Sequence, residues 1–363
     1  MLFTYKNPDV YKKKNMIQNT FEMDQKNKLK DLQFINSLKI KKIPEFKIKN
    51  KKISVKEKYS IEYIKNIKNI KTITNVYQSK YNNNTMHSAG LGDFIRGCYF
   101  LIEFCEKYNF EAKIIFNNCI SNFLLTNNNH EKNNTILSKI HFFKNNNCNS
   151  PIVRDGIILY PNLNLHNIIT DFIDYLCKTN VYENNSFIYC TSYPLNEYVS
   201  EKTKEYIRTI LKPNDTLLTS VHQYLNQLEL ECNNYSVFHI RSGDKYLKDN
   251  SKIFSMNYVK ELKKNIEDYI EKDEKYLLIA DNNEIKILLE KYFPNMKILL
   301  KEITHFGEGV LLEEEKVKNT LIDFYMLSFS KKIFCFTCYE HGSGFSYWCA
   351  KTYNIPYITK FIK

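Results

Sequence analysis

No stretch of this 363-residue chain approaches the about 18 uncharged apolar residues that a membrane-spanning helix needs; its longest apolar runs, such as DGIILY and YLLIA, are strand-sized. The opening MLFTYKNPDVYKKKN meets charge before an apolar core can develop, so no signal peptide is expected. The chain therefore reads as cytoplasmic, or as resident in another intracellular compartment. Ten cysteines are scattered rather than spaced, and the CxxC of Cys335 and Cys338 has no second CxxC to complete a zinc site. Several of them (Cys98, Cys105, Cys190, Cys335) sit inside apolar runs, where a reduced cysteine acts as a small hydrophobe. Without an export signal, the glycosylation sequon at Asn83 carries little meaning. No long internal repeat stands out, and no helix-turn-helix, zinc-finger or RRM signature is present.

What is present begins with charge. Lys and Arg total 52 against 40 Asp and Glu, a formal net charge of +12, which suits polyanionic or phosphorylated partners. Lysine, isoleucine and asparagine recur throughout, however, so the excess reads as a compositional habit, and nucleic acid is not expected as a partner. Residues 1–80 form a lysine-rich extension with only short apolar clusters, a tether, appendage or basic interaction arm. The tracts YNNNT, TNNNHEKNN and KNNNCN read as loops, because asparagine competes locally for backbone hydrogen bonds.

Beyond the arm, strands and helices alternate. TITNVYQS, EAKIIFNN, DGIILYP and NSFIYCTSY are strand-like, with helix-like DFIRGCYFLIEFCEKYN and NIITDFIDYLCKT among them. From Tyr235 four βα units follow one another, with strands expected around 236–240, 276–280, 297–300 and 333–336. Short apolar strands of this kind suit a parallel sheet buried on both faces. The expectation is two α/β domains, 81–230 and 231–363, with a ligand between them at the carboxyl ends of the strands.

Three segments fall at those ends. In HSAGLGDFIRG, Gly90 and Gly92 allow a tight turn, Asp93 is placed to cap the following helix, and Arg96 puts a cation in its first turn. In VFHIRSGD, Arg241 ends a strand before a Gly243-Asp244 turn, where a guanidinium fork suits a diphosphate; His239 shares its strand face, as a ligand contact or a core histidine. In CYEHGSGFSYWCA, a helix opens after a strand, so its amides and the hydroxyls of Ser343 and Ser346 suit an anion, while Phe345 either stacks on a base or packs. Asp281, in IADNNE, is placed to accept from a base edge or ribose hydroxyl, or to cap the helix that follows.

GLGDFIRG, HIRSGD, IADNNE, TLIDFYMLSFS and GSGFSYWCA, in this order, resemble the motifs of the α-1,2-, α-1,6- and protein O-fucosyltransferase superfamily. The resemblance spans roughly Met86 to Pro356. It implies a GT-B-like fold, two Rossmann-like domains facing a central cleft. It also implies a glycosyltransferase that needs no metal or other cofactor and takes GDP-fucose as donor and a glycan or protein hydroxyl as acceptor. Arg241 then corresponds to the arginine on the β-phosphate. Gly90, Gly92, Asp93 and Arg96 correspond to the loop near the diphosphate, Asp281 to the nucleotide-edge segment, and Ser343, Gly344 and Phe345 to the phosphate and base loop. Two positions depart from the pattern: Ser242 replaces a second arginine, and Gly344 replaces a hydroxyl residue.

Such a transferase stabilises the charge that develops on the leaving diphosphate and inverts the anomeric centre as an acceptor hydroxyl attacks. Asp249 is the first candidate for the base that removes the acceptor proton, with Asp244 and Glu308 (in HFGEG) as alternatives. Two other functions stay open: a GT-B transferase using another nucleotide sugar, and a catalytically degenerate binding or structural protein with a basic arm.

Overall fold

The computed structural model describes residues 71–77, 90–116, 118–125, 185–188, 190–195, 198–243, 246, 254–306 and 313–362. These all belong to the larger of two units, Phe46–Lys363, the other being Met1–Glu45. The expected strand DGIILYP, the helix NIITDFIDYLCKT and most of the lysine-rich arm lie outside the described residues.

Two parallel sheets organise the described residues. The first has the order β2-β1-β3, from β1 (Thr72–Tyr77), β2 (Glu111–Phe116) and β3 (Asn185–Ile188). Its central strand therefore lies inside the 1–80 range read as an arm, so the first α/β half starts earlier than the composition suggested. β1 is buried along its whole length, as a strand flanked on both edges and covered on both faces must be. The second sheet has the order β6-β5-β4-β7-β8, from β4 (Ser236–Arg241), β5 (Tyr276–Ala280), β6 (Lys297–Ile298), β7 (Lys332–Thr337) and β8 (Tyr357–Phe361). Four of these fall where the sequence placed them. β6 is cut to two residues, and Leu300 beyond it is half exposed, without the apolar cover that would extend the strand. The order turns outward in both directions from β4, so β4 and its neighbours bracket the place where the connections diverge, where α/β sheets bind ligands.

Helices join the strands: α1 (Leu91–Tyr108), α2 (Glu201–Ile210), α3 (Asp215–Gln227), α4 (Met256–Glu267), α5 (Asn283–Glu290), α6 (Glu314–Ser328) and α7 (Gly344–Tyr353). Small polar residues start several of them: Ser200, Asn214, Ser255 and Asn282 each accept a hydrogen bond from an amide of the first turn. Two helices end on asparagine in the left-handed region, Asn109 at φ 65° and Asn354 at φ 59°. Asparagine thus does structural duty at both ends of helices in this chain.

α1 joins the two sheets. It is buried almost all round, because it packs on β1 and β2 on one side and on α7, from the other half, on the other. Tyr77 stacks on Phe94 at 4.3 Å, while Tyr99 meets Trp348 at 5.4 Å and bonds through its hydroxyl to Thr352 Oγ1 at 2.9 Å. Five buried thiols among the described residues, Cys98, Cys105, Cys190, Cys335 and Cys349, act as small hydrophobes; burial pushes their pKa up. Among the described residues no helix is long and apolar enough to cross a membrane.

Candidate active site

Arg241 is the last residue of β4, and its position follows from register: Ile240 pairs with Ala280 of β5, and Arg241 with Thr337 of β7. The apolar residues before it are buried in the sheet, and the arginine emerges where the strand leaves the core. Its Nη1 donates to Asp281 Oδ2 at 2.7 Å, with the two side chains only 13% and 6% exposed. Asp281 also accepts from the amides of Ser242 at 3.1 Å and Gly243 at 3.2 Å. One carboxylate therefore fixes both the guanidinium and the turn that follows it. The helix cap that Asp281 was placed to supply falls to Asn282, which accepts from Glu284 N at 2.7 Å.

Gly243 has φ 111°, which an L side chain rarely adopts, and a β-carbon there would lie 3.0 Å from Cys338 Sγ and 3.6 Å from the Tyr339 hydroxyl. The loop after β7 is thereby pressed against the arginine turn. Cys338 N donates to Arg241 O at 3.2 Å, and the guanidinium carbon stands 5.7 Å from the Tyr339 ring centre. Cys335 and Cys338 part company here: Cys335 lies inward, 3.6 Å from His239 Nδ1, while Cys338 faces the turn.

That same loop runs into α7, whose first residue, Gly344, meets α1. A β-carbon on Gly92 would lie 2.2 Å from Gly344 C and O, and one on Gly344 would lie 3.4 Å from Asp93 Oδ1. Gly92 is therefore a helical residue that lets α7 come close, rather than part of a turn. Gly90 is the N-cap, and Asp93 sits in the first turn with no capping bond. Asp93 Oδ1 instead pairs with Arg96 Nη1 at 3.1 Å. Arg96 also donates through Nε to Thr191 O at 2.8 Å and lies 4.2 Å from the Tyr193 ring centre. The cation that looked out of place near a helix start is thus tied into the segment after β3.

Two expected ligand contacts, His239 and Ser346, are turned into the core. His239 is buried, and its Nδ1 lies 2.9 Å from Ser346 Oγ, itself fully buried and 3.2 Å from the Tyr357 hydroxyl. Burial, helped by the nearby Arg241 and Lys286 cations, pushes the His239 pKa down to about 3, so the ring is neutral. Phe345 packs between His239 at 6.0 Å and Phe324 at 5.6 Å. Phe345 is only partly buried there. Ser343, also buried, is the N-cap of α7 and makes no side-chain capping bond. Ser242 is buried as well and points away from solvent. Asp244, Asp249 and Glu308 lie outside the described residues.

Sequence reasoning passed over Gly97, Tyr339 and a pair of buried charges. A β-carbon on Gly97 would sit 1.8 Å from Cys190 O, so α1 touches the segment after β3 through this residue. Lys301 Nζ pairs with Asp323 Oδ1 at 2.7 Å, both side chains 5% exposed, with burial lowering the lysine's pKa. Asp323 belongs to the TLIDFYMLSFS helix, which carried a resemblance but no assigned role. Glycine spacing inside an apolar helix was the only available signal for Gly97; nothing in the sequence marked the Lys301 pair.

No family model matches the chain, and no curated protein matches it either. Solved structures do. A mutant of Arabidopsis thaliana FUT1 in complex with GDP superposes with a TM-score of 0.51 at 9% identity, covering 85% of this chain and 75% of that one. The fold is that of the GT-B fucosyltransferases. NodZ α-1,6-fucosyltransferase soaked with GDP-fucose matches at 12% identity and a TM-score of 0.43, covering 77% of this chain and 91% of that one. POFUT1 in complex with GDP matches at 8% identity and 0.41, covering 80% and 98%.

Proposed function

We propose that this protein is a glycosyltransferase of fucosyltransferase type, transferring fucose from GDP-fucose to a hydroxyl of a glycan or protein acceptor. One observation carries the reading. The three motif segments, far apart in sequence, meet at one place: the Arg241–Asp281 pair at the ends of β4 and β5, the Tyr339–Ser343 loop after β7, and the start of α1 against Gly344. The FUT1 structure sharing this fold carries GDP, and the motif order supplies the fucose expectation.

Arg241 then binds the donor diphosphate and stabilises the charge that grows on it as the sugar leaves. Asp281 holds the guanidinium in place at 2.7 Å, so little reorganisation accompanies the reaction. The acceptor oxygen attacks the anomeric carbon from the opposite face, which inverts its configuration. A second reading rests on Ser242, which stands where the resembled motif has another arginine and is buried. With one cation fewer, the site accommodates a different nucleotide sugar.

Calorimetric titration with GDP-fucose and with other GDP-, UDP- and dTDP-sugars tests both. Selective binding of GDP-fucose, followed by release of GDP, is the expected result. Selective binding of another nucleotide sugar establishes the second reading. Failure to bind any of them overturns the enzyme assignment and leaves a degenerate GT-B protein.

A further inference from the structure

We propose that His305, facing Asp93 across the niche left by Gly90, is the residue that takes the proton from the attacking hydroxyl. This inference rests on the glycosyltransferase reading above.

The niche is defined by a missing side chain. A β-carbon built on Gly90 would lie 3.7 Å from both His305 Nε2 and Asp93 Oδ2, so imidazole and carboxylate border the same small volume. Both residues are fixed by elements outside it. Asp93 divides its oxygens: Oδ1 is held by Arg96 at 3.1 Å, and Oδ2 turns toward the niche. His305 sits between two anchored neighbours. Thr304 exchanges hydrogen bonds with Thr320 of α6, at 3.0 and 3.1 Å, and Phe306 is buried edge-on to Tyr77 of β1, at 6.4 Å. The segment thus crosses from the second sheet to the first and carries the imidazole, partly exposed, to the start of α1. A β-carbon on Gly344, which opens the helix after the Tyr339–Ser343 loop, would lie 3.4 Å from Asp93 Oδ1. Donor-side charge and niche therefore share one wall.

The chemistry balances without any further reactant. As the bond from the anomeric carbon to the diphosphate oxygen breaks, its electron pair stays on the diphosphate, opposite Arg241. The acceptor oxygen forms the new bond to that carbon, and its proton passes to Nε2. This needs the neutral His305 tautomer protonated at Nδ1. The Asp93 carboxylate then steadies the imidazolium, and the Arg96 guanidinium at 3.1 Å holds the carboxylate in place. A histidine suits this work because its ordinary pKa lies close to neutrality.

The test uses the full chain, GDP-fucose and water as acceptor, so that no acceptor need be known. His305→Ala should lower GDP release about 10²–10⁴-fold, the usual contribution of a general base, while GDP affinity measured by calorimetry stays at the wild-type value. Added imidazole should restore part of the lost turnover, which a merely structural role does not allow. Gly90→Ala is a second variant: Gly90 has φ −60° and its β-carbon would meet no described residue closer than 3.7 Å, so the methyl adds no strain among them yet fills the niche. It should also slow turnover. Wild-type turnover in His305→Ala, or a loss that tracks GDP affinity and ignores imidazole, overturns the proposal while leaving the transferase reading intact. A wild type that neither binds GDP nor releases it from GDP-fucose overturns both.

Discussion

The two walls of the candidate site are built by opposite means. On the second sheet the wall is made of side chains added at strand ends: Arg241 and Asp281 emerge where β4 and β5 leave the core, and Tyr339 closes over them. On α1 the wall is made by omission. Gly92 and Gly97 have no side chain because the backbones of Gly344 and Cys190 occupy that space. The strand ends thus place the Arg241–Asp281 pair, and the glycines of α1 set how closely its neighbours approach. The lesson concerns motif residues generally: a glycine in a ligand-binding motif can serve the packing of two elements rather than the ligand itself.

The largest expected effect tests the wall made by omission. In Gly97→Ala the new β-carbon meets Cys190 O at 1.8 Å, a clash with backbone that no rotamer relieves. Destabilisation should reach the exceptional range, more than about 4 kcal/mol. Gly90→Ala, with its nearest new contacts among the described residues at 3.7 Å, should unfold with the wild type. Urea denaturation of the two variants side by side decides the matter, and equal midpoints would break the distinction between packing glycine and niche glycine.

Next comes the buried pair beside the charged wall. Lys301→Met leaves the Asp323 carboxylate in the interior without its cation at 2.7 Å. The cost should be about 3–5 kcal/mol. Replacing both, with Lys301→Met and Asp323→Leu, should recover most of that loss, since two desolvated charges vanish together. A double variant as unstable as the single one would show that Asp323 has partners that matter more than Lys301, such as the neighbouring buried amine of Lys286.

How much of this was legible in the sequence follows from the same comparison. Four βα units after Tyr235 were readable because their strands are short apolar runs separated by helical periods, and the structure holds all four strands. Arg241 was readable because a cation ending such a run stands out chemically. The inward turn of His239 and Ser346 was not, because it depends on which face of β4 meets α7, a tertiary fact that strand alternation leaves open. Gly92 looked like a turn residue for a related reason: glycine in a helix and glycine in a loop are the same letter, and only the approach of Gly344 tells them apart. His305 went unmarked because its meaning lies in Asp93, more than 200 residues earlier in the chain.

The third effect separates charge from shape at the strand ends. Arg241→Ala should lower GDP-fucose turnover about 30- to 1000-fold, equivalent to about 2–4 kcal/mol of transition-state stabilisation. The variant should stay folded, because Asp281 keeps its bonds to the amides of Ser242 and Gly243. Arg241→Lys should recover only part, having charge without the fork. Circular dichroism verifies the fold, and a folded Arg241→Ala enzyme with undiminished turnover removes Arg241 from the reaction.

The smallest effect concerns pH and the buried face of the same strand. His239 is neutral in the fold, with a pKa of about 3 against an ordinary 6.5, chiefly because burial disfavours its cation. A histidine whose folded pKa is depressed binds its proton more readily when unfolded. Its contribution to stability is therefore whole above the unfolded pKa and is lost as pH falls below about 6.5, with the loss continuing toward about 3. By about pH 5 the loss should be on the order of 2 kcal/mol. His239→Gln, which keeps a polar partner for Ser346 but does not titrate in this range, should remove that part of the slope. Urea denaturation of wild type and variant between about pH 7.5 and pH 5 reads the difference directly. Parallel stability curves would mean that His239 takes up its proton in the folded state too, in which case the strand face behind Arg241 carries a second charge and the division between a charged wall and a packed interior no longer holds.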